Sequence, residues 1–306
     1  MLRILQTLAF VFLAQGAGAQ TMVMNTAEVQ AFLDNVADRF QSVWRQEMRT
    51  AINAVPAYRG KADNLRLNIT DTCDWTPNYS QDGDAPEVSL GKPLILLNQY
   101  LQQAYLFYFL DTPGAVTPQD ITAYVRTQLV PILAREKDRC VRGREGTKSV
   151  FGSDIPSIYS GRMSIEAYRA KLAKLAGMPS ARKVEDFVAG APMMFVVLHE
   201  TGHHMDAVGV PLPGADEEAR ADAFAIDLFA RNKMSPTIAM SFFELGYQEA
   251  FARDAKRLAC RMLKMVQSDA QMADAFAGPV SRDVMDRLEA LNAYYRQEFA
   301  AVCDAP

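Results

Sequence analysis

All three histidines of this chain fall within six residues, His199, His203 and His204, in the stretch VVLHETGHHMDA at 196–207. Residues four apart on a helix share one face, one turn apart, so His199 and His203 can turn two imidazole nitrogens toward a single metal ion. Glu200 follows the first of them and would stand beside that ion rather than on it. There it can hold a water molecule and take its proton. This is the HExxH arrangement of zinc hydrolases. His204 is adjacent to His203 and points about 100° away around the helix, which suits a surface position or a supporting contact rather than a ligand.

Two histidines do not complete a catalytic zinc site, which takes three protein ligands and keeps a fourth position for water. With no other histidine suited to it, the third ligand must be a carboxylate or nothing. The next segment, GADEEARADAFAIDLFA at 214–230, supplies it. Asp216 can cap a helix there. Glu218, Asp222, Ala225, Ile226 and Phe229 then share one face, with two carboxylates above and apolar residues below. Glu218 is the favoured third ligand. Asp222, one turn further on, can accept the outward N–H of a metal-bound histidine. Asp206 lies on the wrong side of the first helix. Asp216 and Glu217 have no acidic residue four positions on.

These side chains need two helices to hold them. Pro192 suits a helix start, Gly209 with Pro211 marks the end, and Met193 to Leu198 are apolar all round. An apolar run of that kind belongs to a buried helix. The active-site helices are therefore expected at about 192–208 and 216–231. Elsewhere helical periodicity dominates: 27–54 with Thr26 as cap, Pro93–Leu110, a start at Thr117-Pro118 running to about Lys137, Ser164–Leu175, and two long C-terminal helices broken at Gly278-Pro279 with Ser281 as cap. The aromatic run YLFYFL at 105–110 reads as core. Only DNLRLNI at 63–69 and EVSLG at 87–91 read as strands, so any sheet is small. EVSLG is a candidate edge strand for pairing with an extended peptide.

HETGH followed by EEARADAFA resembles the gluzincin zinc metallopeptidases, with HExxH, a spacer and ExxxD. It is most similar to bacterial metallopeptidase-like proteins with HExGH and ExxAD motifs, and VPLPGADEEARAD matches the second part closely. The resemblance covers residues 195–231. It implies one Zn2+ per chain on His199, His203 and Glu218, with Glu200 as general base and Asp222 behind the ligands. It further implies a single zincin-like metallopeptidase domain over 20–306. In gluzincins a further histidine or tyrosine stabilises the oxyanion. Here Tyr159, Tyr247 or an arginine would have to serve.

The chain has 306 residues, a net charge of −4 and 49% hydrophobic residues, the balance of a globular protein with a large core. No basic stripe supports nucleic-acid binding. MLRILQTLAFVFLAQGAGAQ reads as a signal peptide spanning 1–19, with Arg3, an apolar stretch too short to cross a bilayer, and a small-residue cleavage site. No other segment suggests a transmembrane helix, so the mature chain is expected to be exported, periplasmic or secreted. Cysteines stand at 73, 140, 260 and 303 without a CxxC pair. That argues for disulfides over a thiolate metal site, with Cys73–Cys140 and Cys260–Cys303 favoured. The fold class expected is α+β and mostly helical, a zincin-like core with a small sheet and a C-terminal helical hairpin. The expected partner is a peptide or protein substrate. A zinc-holding scaffold without catalysis, and a zinc amidase acting on a non-protein amide, remain open beside the peptidase.

Overall fold

The structure is a computed structural model that describes residues 26–70, 77–132, 134, 158, 159, 161–178, 181, 184, 191–232, 234–240, 255–268 and 282–304. The segment read as a signal peptide, the Cys73–Cys140 pair, Tyr247, and the Gly278-Pro279 break with its Ser281 cap lie outside these residues.

Thr26, read as the cap, already lies within the first described helix. That helix runs as α1 (Thr26–Val43), through a π-helical turn (Trp44–Met48), into α2 (Arg49–Asn53). Val36, Phe40, Val43, Trp44, Met48 and Ile52 face the core. Pro56, which cannot donate a backbone hydrogen bond, opens a short 3₁₀ turn instead (Pro56–Tyr58). Three strands follow: β1 (Arg66–Thr70), β2 (Asn78–Ser80) and β3 (Glu87–Gly91), in the order β1-β3-β2. β1 runs parallel to β3, with Leu67 opposite Val88. β2 is antiparallel to β3, with Tyr79 opposite Val88.

This corrects the expected role of Glu87–Gly91. That strand is paired on both sides and is central, and its alternate residues Val88 and Leu90 are buried. The edges are β1 and β2, the latter a three-residue polar strand inside a stretch that composition marks as turn. Its residues carry little strand propensity, and it is held by β3 on one side and by side-chain contacts described below.

α3 (Lys92–Leu110) is the buried axis of the fold, with Tyr105, Leu106, Phe107, Tyr108 and Phe109 all in the core. α4 (Pro118–Tyr124) starts at a capping box in which Thr117 and Asp120 satisfy each other's backbone donors, the arrangement that ends a helix cleanly at its N-terminus. It continues through a π turn (Val125–Leu129). α5 (Ile165–Ala176) is capped by Ser164. α6 (Ala191–Ala207) and α7 (Glu217–Arg231) lie within a residue of the expected bounds.

The last two helices, α8 (255–268) and α9 (Arg282–Cys303), are antiparallel. Cys260 is disulfide-bonded to Cys303, while further along α8 the Val266 carbonyl accepts from Asn292 Nδ2, earlier on α9, at 2.8 Å. The two cysteines therefore share one end of the pair, as the hairpin reading expects. The protein is mostly helical with a small three-stranded sheet. Among the described residues no helix is long and apolar enough to cross a membrane.

Candidate metal centre

α6 enters the site from below. Met193 to Leu198 are buried on every side of the helix. The buried run continues through His199, whose side chain is 2% exposed, as far as Gly202. Beyond Ala207 the helix stops at Gly209, which takes φ +78°, a left-handed conformation that costs glycine little. The Val210 N–H then reaches back to the Met205 carbonyl at 2.9 Å, closing the helix end. α7 is started by Asp216, whose side chain accepts from the Ala219 N–H at 2.8 Å. Arg220 on α7 grips Asp206 on α6 through two bonds of 2.6 and 2.7 Å. Asp206 is thereby committed to fastening the helices together and not to the site.

The two helices touch at Gly202 and Ala221. A Cβ on Gly202 would lie 2.6 Å from the Ala221 Cα and 2.8 Å from its carbonyl oxygen. Only glycine allows this approach, and it brings the carboxylates of α7 within reach of the histidines of α6.

The ligand atoms of His199, His203 and Glu218 lie within 4.8 Å of one another, and together they can hold a metal ion. The two histidine Nε2 atoms are 3.2 Å apart. Glu218 Oε2 is 3.5 Å from His199 Nε2, and Oε1 is 3.6 Å from His203 Nε2. Behind His199, its Nδ1 is 2.9 Å from Asp222 Oδ1. The structure thus brings together four of the residues singled out by spacing. Their exposure is graded: His199 and Asp222 are buried, while the side chains of His203 and Glu218 are 16% and 27% exposed. The group opens to solvent on the side of those two residues.

The electrostatics follow from the packing. Burial pulls His199 toward its neutral form, but Asp222 and Glu218 beside it prevail and hold its pKa up at about 9. Contact with His199 keeps Glu218 low, at about 2, against its burial and with help from Arg261. Burial would raise Asp222, yet His199 and Arg261 together hold it below the usual carboxylate range. Glu200 goes the other way. Burial raises its pKa, with His199 opposing, and its carboxylate accepts a hydrogen bond from the backbone N–H of Tyr79 on β2.

His204 is not a surface group. It is 2% exposed, and its Nε2 is 2.8 Å from the Lys61 carbonyl oxygen. A carbonyl only accepts, so Nε2 carries the proton. Nδ1 is then the acceptor for the Tyr79 hydroxyl, 3.0 Å away, and that hydroxyl in turn accepts from Gln81 Nε2 at 2.7 Å. Burial lowers the His204 pKa, consistent with a neutral ring of fixed tautomer. His204 ties the edge strand to α6, one residue after a ligand candidate.

Two further residues bear on the alternatives the sequence left open, Tyr159 and an arginine. Tyr159 donates its hydroxyl to Asp111 Oδ2 at 2.6 Å, and Asp111 is also paired with Lys171. That commitment takes Tyr159 out of the oxyanion role. The arginine that reaches the site is Arg261 on α8. Its guanidinium donates to both oxygens of Asp222, at 2.8 and 2.9 Å, and lies 2.8 Å from Glu218 Oε2. Nothing in the local sequence marks it among the chain's arginines. The one available signal is that it follows Cys260, a cysteine expected in a disulfide. No family model, curated protein or solved structure matches the chain.

Proposed function

We propose that this protein is an exported zinc-dependent metallopeptidase with a zincin-like core, holding one Zn2+ on His199, His203 and Glu218. The observation that supports the reading is the convergence of two imidazole Nε2 atoms, 3.2 Å apart, on one carboxylate, whose Oε2 lies 3.5 Å from His199 and whose Oε1 lies 3.6 Å from His203. Two imidazoles and one carboxylate are also the donor set of several catalytic zinc sites. The disulfide on α8 and α9 favours an oxidising compartment.

When bound, zinc supplies a Lewis acid that lowers the pKa of a coordinated water toward 7 and polarises a carbonyl. The rest is the work of the chain. His199 turns Nδ1 to Asp222 in a close ion-pair contact, which leaves Nε2 for the metal. Glu200 is buried beside that group, and its raised pKa suits a residue that accepts a proton at its carboxylate and later returns it to a leaving amide nitrogen. The Tyr79 N–H fixes the carboxylate while it does so. Solvent and substrate would approach over His203 and Glu218, the exposed side. A zinc-holding scaffold would have no use for Glu200 in this position, and a non-protein amide would be cleaved by the same groups.

The test is metal content. Elemental mass spectrometry of the purified mature chain is expected to find about one zinc per wild-type molecule and little after Glu218→Ala. A wild-type chain that stays empty after reconstitution with zinc would overturn the assignment.

A further inference from the structure

Arg261 is the least expected member of the site. It comes from α8, a helix that supplies none of the ligands, yet its guanidinium makes three contacts of 2.8, 2.8 and 2.9 Å with the two carboxylates of α7. Its side chain is 10% exposed. The contacts form a chain with a direction. Nε takes Asp222 Oδ2, and a second nitrogen takes Oδ1. A two-point bond of this kind fixes the plane of the carboxylate as well as its place. With that plane fixed, Oδ1 faces His199 Nδ1 at 2.9 Å, and the imidazole is set with Nε2 toward His203 and Glu218. The third guanidinium nitrogen holds Glu218 by Oε2. One cation therefore sets two of the three ligand side chains, one directly and one through Asp222.

The charge of Arg261 argues in the opposite direction. A permanent cation in contact with a ligand carboxylate repels an incoming dication. It also competes for the oxygen that the metal needs. Charge alone predicts that removing Arg261 tightens metal binding. Geometry alone predicts that removal loosens it, because two carboxylates one turn apart and an imidazole would be left to rotate.

We infer that Arg261 is the positioning residue of the metal group, and that its fork on Asp222 and Glu218 strengthens metal binding by more than its charge weakens it. The inference rests on the metal-site reading above. It makes no claim that Arg261 touches substrate.

The experiment compares the full mature chain with Arg261→Met and Arg261→Lys. Zinc and cobalt affinities are read by competition with a chromophoric chelator, and the visible spectrum of the cobalt form reports the ligand geometry. Circular dichroism of the metal-free proteins shows whether each is folded. Arg261→Met is expected to weaken zinc binding about 10- to 100-fold, the range seen when a group that orients a ligand is lost, and to change the cobalt spectrum. Arg261→Lys keeps the charge but lacks the planar fork, so it is expected to fall with Met rather than with wild type. Wild-type affinity and spectrum in a folded Lys variant, or affinity at or above wild type in a folded Met variant, would overturn the inference. If neither variant folds, nitrogen NMR of Arg261 in the wild-type chain decides. Slow exchange of its Nε–H with zinc bound supports the clamp, and rapid exchange overturns it. A wild-type chain that binds no metal overturns the underlying reading instead, whereas equal affinities in wild type and variants overturn only the role of Arg261.

Discussion

Glu200→Gln is expected to keep the wild-type zinc content and to lose peptide cleavage by about 10²–10⁴-fold or more, the usual share of a general acid–base residue. Glutamine has nearly the same shape and can still accept the Tyr79 N–H through its carbonyl oxygen. It cannot take a proton at that position. The ligand atoms sit on other residues, and Glu200 is not among the three that converge. The expected outcome therefore separates metal binding from catalysis within one side chain. The measurement is cleavage of a peptide library by matched wild-type and variant samples of known zinc content. Cleavage by the variant at the wild-type rate would remove Glu200 from the mechanism. A wild type that holds zinc but cleaves no peptide would shift the balance to the scaffold or to a different amide.

The second large effect is expected at Gly202. Alanine is the better helix former by about 0.8–1 kcal/mol, so on propensity alone Gly202→Ala would stabilise α6. The contact with α7 decides otherwise. The new Cβ would meet the Ala221 Cα at 2.6 Å and the carbonyl oxygen at 2.8 Å, against about 3.5–4.0 Å for comfortable carbon contacts. Both neighbours are backbone, so no rotamer change relieves the clash. α7 must back away by about 1 Å, and overpacking of this kind costs about 1–3 kcal/mol, occasionally more. The displacement carries Glu218 and Asp222 with it. The variant is expected to unfold at a lower temperature without metal, and to gain less stability from added zinc than wild type gains, because linkage converts weaker binding into smaller stabilisation. Thermal unfolding with and without zinc measures both. Unchanged unfolding and unchanged zinc response would mean that the two helices do not meet at this residue.

The expected residues that the structure brings together are those in which local spacing and local chemistry coincide. His199, His203, Glu218 and Asp222 sit on two helices close in sequence, each with a start signal and a face that four-residue spacing defines. The Asp216 cap and the turn at Gly209 set the helix ends, so the residues between had few places to go. The parts that were misplaced or left open depend on contacts across the fold. His204 has no local reason to be buried, and only the arrival of Lys61 and Tyr79 gives both its ring nitrogens partners. β2 is too short and polar to carry a strand signal, so pairing with β3 defines it. Glu87–Gly91 alternates like an edge strand, but a strand with neighbours on both sides can alternate in the same way when one face of the sheet is covered. Arg261 lies 39 residues from Asp222, beyond the range of any helical periodicity.

The bond between Cys260 and Cys303 has a consequence for when the site can exist. It anchors α8 at the residue immediately before Arg261. In a reducing cytoplasm both cysteines would remain thiols, and the helix that presents the guanidinium would be held by packing and ion pairs alone. If Arg261 acts as inferred, the chain acquires its full grip on metal only after oxidation. Disulfide closure and metal loading then become successive steps, with oxidation first.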